Sequence, residues 1–91
     1  MTYKKITSST NNVFGSRPVR LHRVVLVAGS SEAAAVTLED AATAGSNDFY
    51  KSGNVAANSS TSQSWGGDGL TVNYVSVTLT GANAVCYLYY S

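Results

Sequence analysis

The sequence predicts an all-β protein: an antiparallel β-sandwich or jelly-roll-like single domain of roughly seven to nine short strands. Short runs of β-branched and aromatic residues recur along the whole chain. Clusters of Gly, Ser and Asn separate these runs at fairly even spacing. No apolar i, i+3, i+4 pattern is sustained, and no helix-length segments alternate with the strands as a parallel sheet would require.

The composition indicates one domain with a weakly charged surface. The chain has 91 residues, which is the length of a single domain. Only 12% of them are charged, about half the usual ~25%, so Ser, Thr and Asn must supply the polar surface. Such a surface is poorly protected against self-association. This favours a protein covered by neighbouring subunits, and the alternative is a soluble β domain rich in Ser and Thr.

The charges are unevenly distributed along the chain. Five cations precede residue 29, with no acid among them: Lys4, Lys5, Arg17, Arg20 and Arg23. The acids all follow, with Lys51 as their one cationic neighbour: Glu32, Glu39, Asp40, Asp48 and Asp68. This asymmetry suits contact with an acidic partner or head-to-tail contact between copies, although ordinary solvated charges would also explain it.

The N-terminal residues 1–12 are polar and predict an arm or a short edge strand around Tyr3 and Ile6, preceding a β-sandwich domain at 13–91. The first residues contain no apolar core of a signal peptide, so no secretory signal is expected. The longest apolar run, 24–28, is too short to span a bilayer, so no membrane association is expected.

Residues 19–28 form the longest strand candidate. Val19 and Leu21 share one face, but strict alternation would then bring Arg23 onto it. A β-bulge at His22-Arg23 would instead continue that face with Val24 and Leu26. The alternative is a central strand covered on both faces, and we favour the bulge.

Four shorter segments follow. Residues 33–39 overlap a helix-forming Glu-Ala-Ala-Ala sequence at 32–35, but Ala34, Val36 and Leu38 fit one face of a strand, which is the prediction. Residues 48–52 predict a short strand, and 58–64 predict either an exposed edge strand or a loop. Leu70 and Val72 predict another short strand.

The C-terminal residues 74–91 predict a β-hairpin with a loop at 81–84. Val75, Val77 and Leu79 alternate with polar residues, and Ala84, Cys86, Leu88 and Tyr90 alternate after the loop. The favoured register pairs Leu79 with Cys86, Val77 with Leu88 and Val75 with Tyr90, and a shift by one residue is the alternative. Tyr87 and Tyr89 then lie on the opposite face, which is covered by a second sheet or a partner, or is open to water.

The sequence predicts neither catalysis nor a cofactor. His22 is the only histidine, and a metal site would need further ligands. Glu39 and Asp40 are adjacent and would point to opposite faces of a strand. No nucleophile-elbow pattern surrounds any serine, and residues 66–69 do not join a strand to a helix as a phosphate loop does. Cys86, the single cysteine, excludes an internal disulfide and predicts a small core residue.

Aromatic residues carry the binding hypotheses. Exposed Tyr among Ser and Thr is typical of contact surfaces. The predicted protein-contact residues are Tyr3, Lys4, Lys5, Arg20, Arg23, Trp65, Tyr87 and Tyr89. The alternative is a carbohydrate-binding module in which Trp65 and Tyr50 or Tyr74 form a stacking platform. A third possibility, a nucleic-acid accessory protein, would use the basic N-terminal third, whose cations are too sparse to favour it.

Two stretches resemble a known group of proteins. Gly69-Leu70-Thr71-Val72 followed by VSVTLTGANAVCYLYY resembles the C-terminal pattern of small all-β virion proteins of tailed bacteriophages. RLHRVVLVAGSSEAAAVTLEDAATAG resembles their strand, small-residue turn, strand and acidic loop. The resemblance implies a capsid decoration or cement protein, or a head-tail accessory subunit, assembled in the host cytoplasm. It implies a homo-oligomer, a trimer or ring, that contacts a major capsid or tail protein, and it implies no small-molecule substrate and no catalytic residue.

Overall fold

A computed structural model describes residues 2–15 and 17–91, and these residues form an all-β structure, as the sequence predicts. The described residues contain eight strands and no helix. The strands are β1 (Thr2–Ile6), β2 (Val19–Val27), β3 (Ala35–Glu39), β4 (Asp48–Lys51), β5 (Ser60–Ser64), β6 (Leu70–Val72), β7 (Ser76–Thr80) and β8 (Val85–Tyr90).

The strands form two antiparallel sheets. The large sheet has the order β1-β8-β2, and the far edge of β2 is shared by two strands. β5 pairs with the second half of β2, from Arg23 to Val27, and β6 pairs with its first three residues. The small sheet has the order β4-β3-β7. The architecture is therefore a β-sandwich in a single domain.

One apolar core lies between the sheets. The large sheet contributes Leu21, Val24, Leu26, Cys86 and Leu88, each at most 1% exposed, and the small sheet contributes Val36, Leu38 and Val77, each at most 2% exposed. Full burial of one such aliphatic side chain contributes roughly 1.5–3 kcal/mol. Alternate residues of every long strand therefore have to face inward.

The bulge predicted in the longest strand is confirmed. Leu21 pairs with Tyr90 and Arg23 pairs with Tyr89, so His22 is an extra residue without an opposite partner on β8. Val24 and Leu26 then continue the buried face that Val19 and Leu21 begin. Arg23 is exposed on the other side of the sheet because the extra residue restores the alternation.

The strand predicted at 33–39 is also confirmed, as β3 at Ala35–Glu39. Val36 and Leu38 are buried on β3, and Ala34, which precedes it and bridges to Val55, is buried on the same side. Burial of these side chains in the core outweighs the helix propensity of Glu-Ala-Ala-Ala, which is worth only tenths of a kilocalorie per residue. The predicted strands at 48–52 and at Leu70–Val72 are β4 and β6. Of the two alternatives for residues 58–64, an exposed edge strand or a loop, the structure shows the edge strand, β5 at Ser60–Ser64.

The predicted C-terminal hairpin is wrong. β7 pairs with β3 in the small sheet, whereas β8 pairs with β1 and β2 in the large sheet. The pairs Leu79–Cys86, Val77–Leu88 and Val75–Tyr90 therefore do not form, and the residues between Thr80 and Val85 connect one sheet to the other. Two strands with the same apolar alternation can lie side by side or face each other across a core, and the alternation itself does not distinguish these arrangements.

The N-terminal segment runs along the edges of both sheets. β1 pairs with β8 over its whole length, and Ile6 is buried in the core. Thr10 then forms a bridge to Val77, and the Val13 N–H donates to the Val75 carbonyl at 2.8 Å. The sequence predicts an arm or an edge strand for residues 1–12, and the structure shows an edge strand of the domain at residues 2–6. Met1 lies outside the described residues.

Gly81, which begins the connection between the sheets, offers a test of this crossover. Its φ is +105°, and a Cβ there would lie 2.6 Å from the Ala33 carbonyl oxygen. Gly81→Ala combines backbone strain with a steric clash, so we expect it to lower the free energy of unfolding by about 3 kcal/mol. Urea denaturation measures this change.

Gly53→Ala is the matched control. Gly53 also has a positive φ, +68°, but a Cβ there would meet nothing within 4 Å. Gly53→Ala should therefore lower the free energy of unfolding by only about 1–2 kcal/mol, the strain of placing alanine in a left-handed conformation. Equal losses in the two variants would contradict the close packing of the Gly81 connection against Ala33.

Candidate functional site

The outer face of the large sheet carries a group of aromatic, aliphatic and cationic side chains. Antiparallel pairing places Tyr3 beside Tyr89 and Tyr89 beside Arg23. The next row on this face joins Lys5, Tyr87 and Val25 in the same way. We call this surface the tyrosine face and define it by Tyr3, Lys5, Arg23, Val25, Val27, Val85, Tyr87 and Tyr89.

The alternation of β8 creates the centre of this face. Cys86 and Leu88 are fully buried, so Val85, Tyr87 and Tyr89 must point away from the core. The three remain partly exposed in the described structure. The bulge in β2 completes the arrangement, because it turns Arg23, Val25 and Val27 to the same side as the β8 tyrosines.

Tyr3 packs over the two β8 tyrosines. Its ring centroid lies 5.9 Å from that of Tyr87 at an interplanar angle of 63°, and 5.7 Å from that of Tyr89 at 42°. These are favourable non-parallel aromatic geometries, worth about 0.5–1.5 kcal/mol per pair beyond area burial. Tyr3 itself is 57% exposed, so the cluster still presents an open aromatic surface.

The charges of the tyrosine face are all positive. Lys5 and Arg23 belong to it, and no acid does. In the part of the chain that the structure describes, the ion pair found joins Lys51 to Asp48 on β4 at 3.1 Å. Lys5 and Arg23 thus form no ion pair with another described residue, and their charges are available to a partner.

The predicted contact residues divide into three groups. Tyr3, Lys5, Arg23, Tyr87 and Tyr89 share the tyrosine face. Lys4 lies in register with the buried Leu88, so it is on the other side of β1, although its side chain is exposed. Arg20 lies beyond the bulge at the end of the sheet, beside Thr71 of β6, and Trp65 follows β5 at the margin.

Three valines of this face were not among the predicted contact residues. Val27 is 38% exposed and pairs with Val85, and Val25 lies beside Tyr87. The signal that could have identified Val25 and Val27 was present in the sequence. Once a bulge precedes Val24, the residues that alternate with Val24 and Leu26 must share the outer side with Arg23.

A cleft adjoins the tyrosine face at Trp65. Its volume is about 460 Å³, and it is lined by His22, Arg23, Ser64, Trp65, Gly66, Gly67 and Tyr89. The Trp65 N–H donates to the His22 carbonyl at 3.0 Å, which holds the start of the glycine-rich loop against the bulge. His22 Nε2 lies 2.7 Å from Ser91 Oγ, so this ring nitrogen already has a hydrogen-bonding partner.

Trp65 also closes the side of the sandwich between β4 and β5. Its ring lies 6.2 Å from Phe49 and 6.0 Å from Tyr50, with an interplanar angle of 80° to the latter. Tyr50 therefore meets the indole edge to face, and the two rings do not form the flat platform considered for carbohydrate stacking. The Tyr74 N–H donates to Asp40 Oδ1 at 2.9 Å, which ties that residue to the β3–β4 loop.

The acidic residues at the end of β3 and at the start of this loop, Glu39 and Asp40, serve as hydrogen-bond acceptors. Glu39 is 4% exposed, and its Oε2 accepts from the Gly45 N–H at 2.5 Å. Asp40 Oδ1 accepts from the Asn73 N–H at 3.2 Å as well as from Tyr74. Within residues 2–15 and 17–91, no group of three or more His, Cys, Asp or Glu side chains is arranged to hold a metal ion. These carboxylates organise the loop.

Comparisons with known proteins returned no relative. No protein-family model matches the chain, and neither the curated proteins nor the solved structures gave a match. The described residues also contain no helix long and apolar enough to cross a membrane. The tyrosine face and the adjoining cleft are therefore the features from which function is inferred.

Cys86 provides a test of the core beneath the tyrosine face. Burial raises the pKa of its thiol from 9.0 to about 12. The unfolded chain loses this proton more readily, so stability is unaffected below pH 9 and falls as pH rises from 9 towards 12. At pH 10 we expect a loss of about 1.4 kcal/mol from this group, measured by denaturation.

Cys86→Ala is the control for the pH effect. Removal of the sulfur should lower stability at neutral pH, because it leaves a small cavity, but it should flatten the alkaline decline. In the native wild-type protein, Cys86 should also react with an aromatic disulfide reagent only at the rate of unfolding. Rapid reaction under native conditions would contradict its burial.

Proposed function

We propose that this chain is a non-enzymatic structural subunit that acts through protein–protein contacts, with the tyrosine face as its binding surface. The observation that carries the proposal is the open, contiguous set of Tyr3, Tyr87 and Tyr89 among valines and two cations. Interface cores are enriched in Tyr and Arg and depleted in acids. Tyr and Arg are also the residue types that most often dominate binding energy.

The partner surface is acidic. Lys5 and Arg23 have no carboxylate partner within the described structure, and burial of an unpaired charge in an interface is costly. A partner that supplies carboxylates opposite them offsets this cost and gains electrostatic steering. Arg20, at the end of the same sheet, extends the positive surface beyond the bulge.

The setting we propose is the virion of a tailed bacteriophage. This follows from the sequence resemblance, and the observed β-sandwich is the fold that the resemblance implies. The subunit would be a capsid decoration or cement protein, or a head-tail accessory protein, in contact with copies of itself and with a major capsid or tail protein. On a repeating lattice, many weak contacts of a low-charge surface add through multivalency.

Carbohydrate binding is the second candidate, and the cleft at Trp65 is the observation that favours it. A volume of about 460 Å³ lies within the range of small-ligand sites. Trp65 and Tyr89 supply aromatic surface there, and Arg23 and Ser64 supply hydrogen-bonding groups. This candidate uses Trp65 without the Tyr50 or Tyr74 platform.

Lys5→Glu tests the tyrosine face. It places a negative charge on the face opposite an acidic partner, so we expect at least a tenfold loss of binding, about 1.4 kcal/mol. The measurement is the copy number of the variant in purified phage particles, determined by quantitative mass spectrometry. It requires a phage that encodes the chain.

Lys4→Glu is the matched control, because it makes the same charge change at the neighbouring residue on the opposite side of β1. Its copy number should stay within about threefold of the wild type, a loss below 1 kcal/mol. Equal effects of the two substitutions, or absence of the wild-type chain from purified particles, would refute the proposal.

Trp65→Ala separates the two candidates. If the chain is a carbohydrate-binding module, glycan-array binding by the wild type is lost in this variant, while Lys5→Glu retains it. If the tyrosine face is the functional surface, the wild type binds no glycan and Trp65→Ala retains most of its copy number in particles. Circular dichroism confirms that each variant is folded.

A further inference from the structure

β5 is an unusually unprotected sheet edge. Natural proteins discourage pairing at free edges with charges, proline, bulges or a covering segment. β1 carries Lys4 and Lys5 at the opposite edge of the large sheet, and β4 carries Asp48 and Lys51. The outer edge of β7 is covered by the bridge to Thr10. β5 reads STSQS and has no charge, no proline and no irregularity in its pairing with β2.

The hydrogen-bond pattern shows which groups of β5 face outward. The Ala28 N–H donates to the Ser59 carbonyl at 2.9 Å, and the Trp65 N–H donates to the His22 carbonyl at 3.0 Å. Antiparallel bonding alternates along a strand, so Thr61 and Gln63 direct their main-chain groups towards β2 in the same register. The N–H and C=O groups of Ser60, Ser62 and Ser64 therefore point away from the sheet.

One side chain already contacts this edge. Gln63 Nε2 donates to the Ser64 carbonyl at 3.1 Å. A carbonyl oxygen has two lone pairs and accepts a second hydrogen bond, so this contact does not block pairing. All five residues of β5 are exposed or partly exposed, and none has a large side chain that would cover the edge.

We infer that β5 pairs in antiparallel fashion with β5 of a second copy of this chain, about a two-fold axis at Ser62. In this register Ser60 lies opposite Ser64 of the second copy, and Ser62 lies opposite its equivalent. Each outward donor meets an outward acceptor, and no like charges meet. The strand is thus complementary to itself, and a two-fold contact requires such a surface.

Pairing of two β5 strands would join two tyrosine faces in one dimer. The biological role of this dimer rests on the proposed function. An antiparallel two-fold axis is perpendicular to the sheet, so both faces lie on the same side of one continuous sheet. Strands are about 4.8 Å apart, and Tyr87 would therefore lie five strand spacings, about 24 Å, from Tyr87 of the second copy. The dimer would present a bivalent surface to an acidic partner lattice.

Ser62→Pro and Ser62→Ala form the decisive pair of variants. Both remove the hydroxyl, but only proline removes the outward N–H, and this loss breaks no bond to β2. In sedimentation equilibrium over a concentration series, the wild type and Ser62→Ala should approach twice the chain mass of 9.5 kDa. Ser62→Pro should remain at the chain mass. A wild type that stays monomeric throughout, or a Ser62→Pro dimer as tight as the wild type, overturns the inference.

Ser62→Cys tests the β5 contact without a proline, in case Ser62→Pro does not fold. Cys86 is buried, so the new thiol is the accessible one. Cα atoms of a hydrogen-bonded antiparallel pair are about 5.5 Å apart, which suits a disulfide. Mild oxidation should give a disulfide-linked dimer in high yield, whereas Ser46→Cys, on an exposed loop, should give only background. A background yield of the Ser62→Cys dimer overturns the inference. It is also overturned if Ser62→Cys cross-links efficiently to a Lys4→Cys variant but not to itself, because this would indicate pairing of β5 with β1.

These measurements use the purified chain alone, whereas the tyrosine face is tested in phage particles. A negative result for the β5 dimer can therefore be distinguished from a negative result for binding by the tyrosine face. Lys5→Glu should dimerise like the wild type, because Lys5 lies on the opposite edge of the large sheet. Ser62→Pro should still bind particles, with a lower copy number through the loss of bivalency. Loss of dimerisation in Lys5→Glu while Ser62→Pro remains dimeric would refute the β5 contact.

Discussion

Burial of alternate residues of β8 is the constraint on which the rest of the structure depends. β8 lies between β1 and β2, and Cys86 and Leu88 cannot leave the core without exposing the centre of the large sheet. This fixes Val85, Tyr87 and Tyr89 on the outside. Tyr3 of β1 and Val25 of β2 then lie beside them because antiparallel register leaves no alternative. The candidate binding surface is the reverse side of the core.

The bulge at His22 allows both halves of β2 to bury their aliphatic residues on the same face of the sheet. Before it, Val19 and Leu21 face the core, and after it Val24 and Leu26 do. A regular strand could bury only one of these two pairs. If it buried Val19 and Leu21, strict alternation would direct Arg23 into the core. The cost of one unpaired residue is offset by burial of two further aliphatic side chains. The bulge also places Arg23 on the outer side of the sheet, where it is one of the two cations of the tyrosine face and lines the Trp65 cleft.

Sequence reasoning recovered the strands, the bulge and the inward residues, since all of these depend on local alternation. It failed on the partner of β8, because alternation defines the face of a strand and not its neighbour. The alternation predicts Val77 and Leu88 on adjacent strands of one sheet, whereas they belong to opposite sheets. Of the candidate surface, the tyrosines and Lys5 could be found from β1 and β8 separately. Their convergence with Val25 and Val27 depends on the order β1-β8-β2, which no local pattern contains.

The placement of the first and last strands has a kinetic consequence. Thr2 pairs with Tyr90, so formation of the edge of the large sheet requires closure of a loop nearly as long as the chain. Topologies dominated by such distant pairings fold slowly for their size, in milliseconds to seconds. Until β1 closes, one edge of the apolar strand β8, VCYLYY, remains unpaired and able to associate with other nascent chains. Abundant synthesis of this protein would therefore make its yield sensitive to temperature and to chaperone supply.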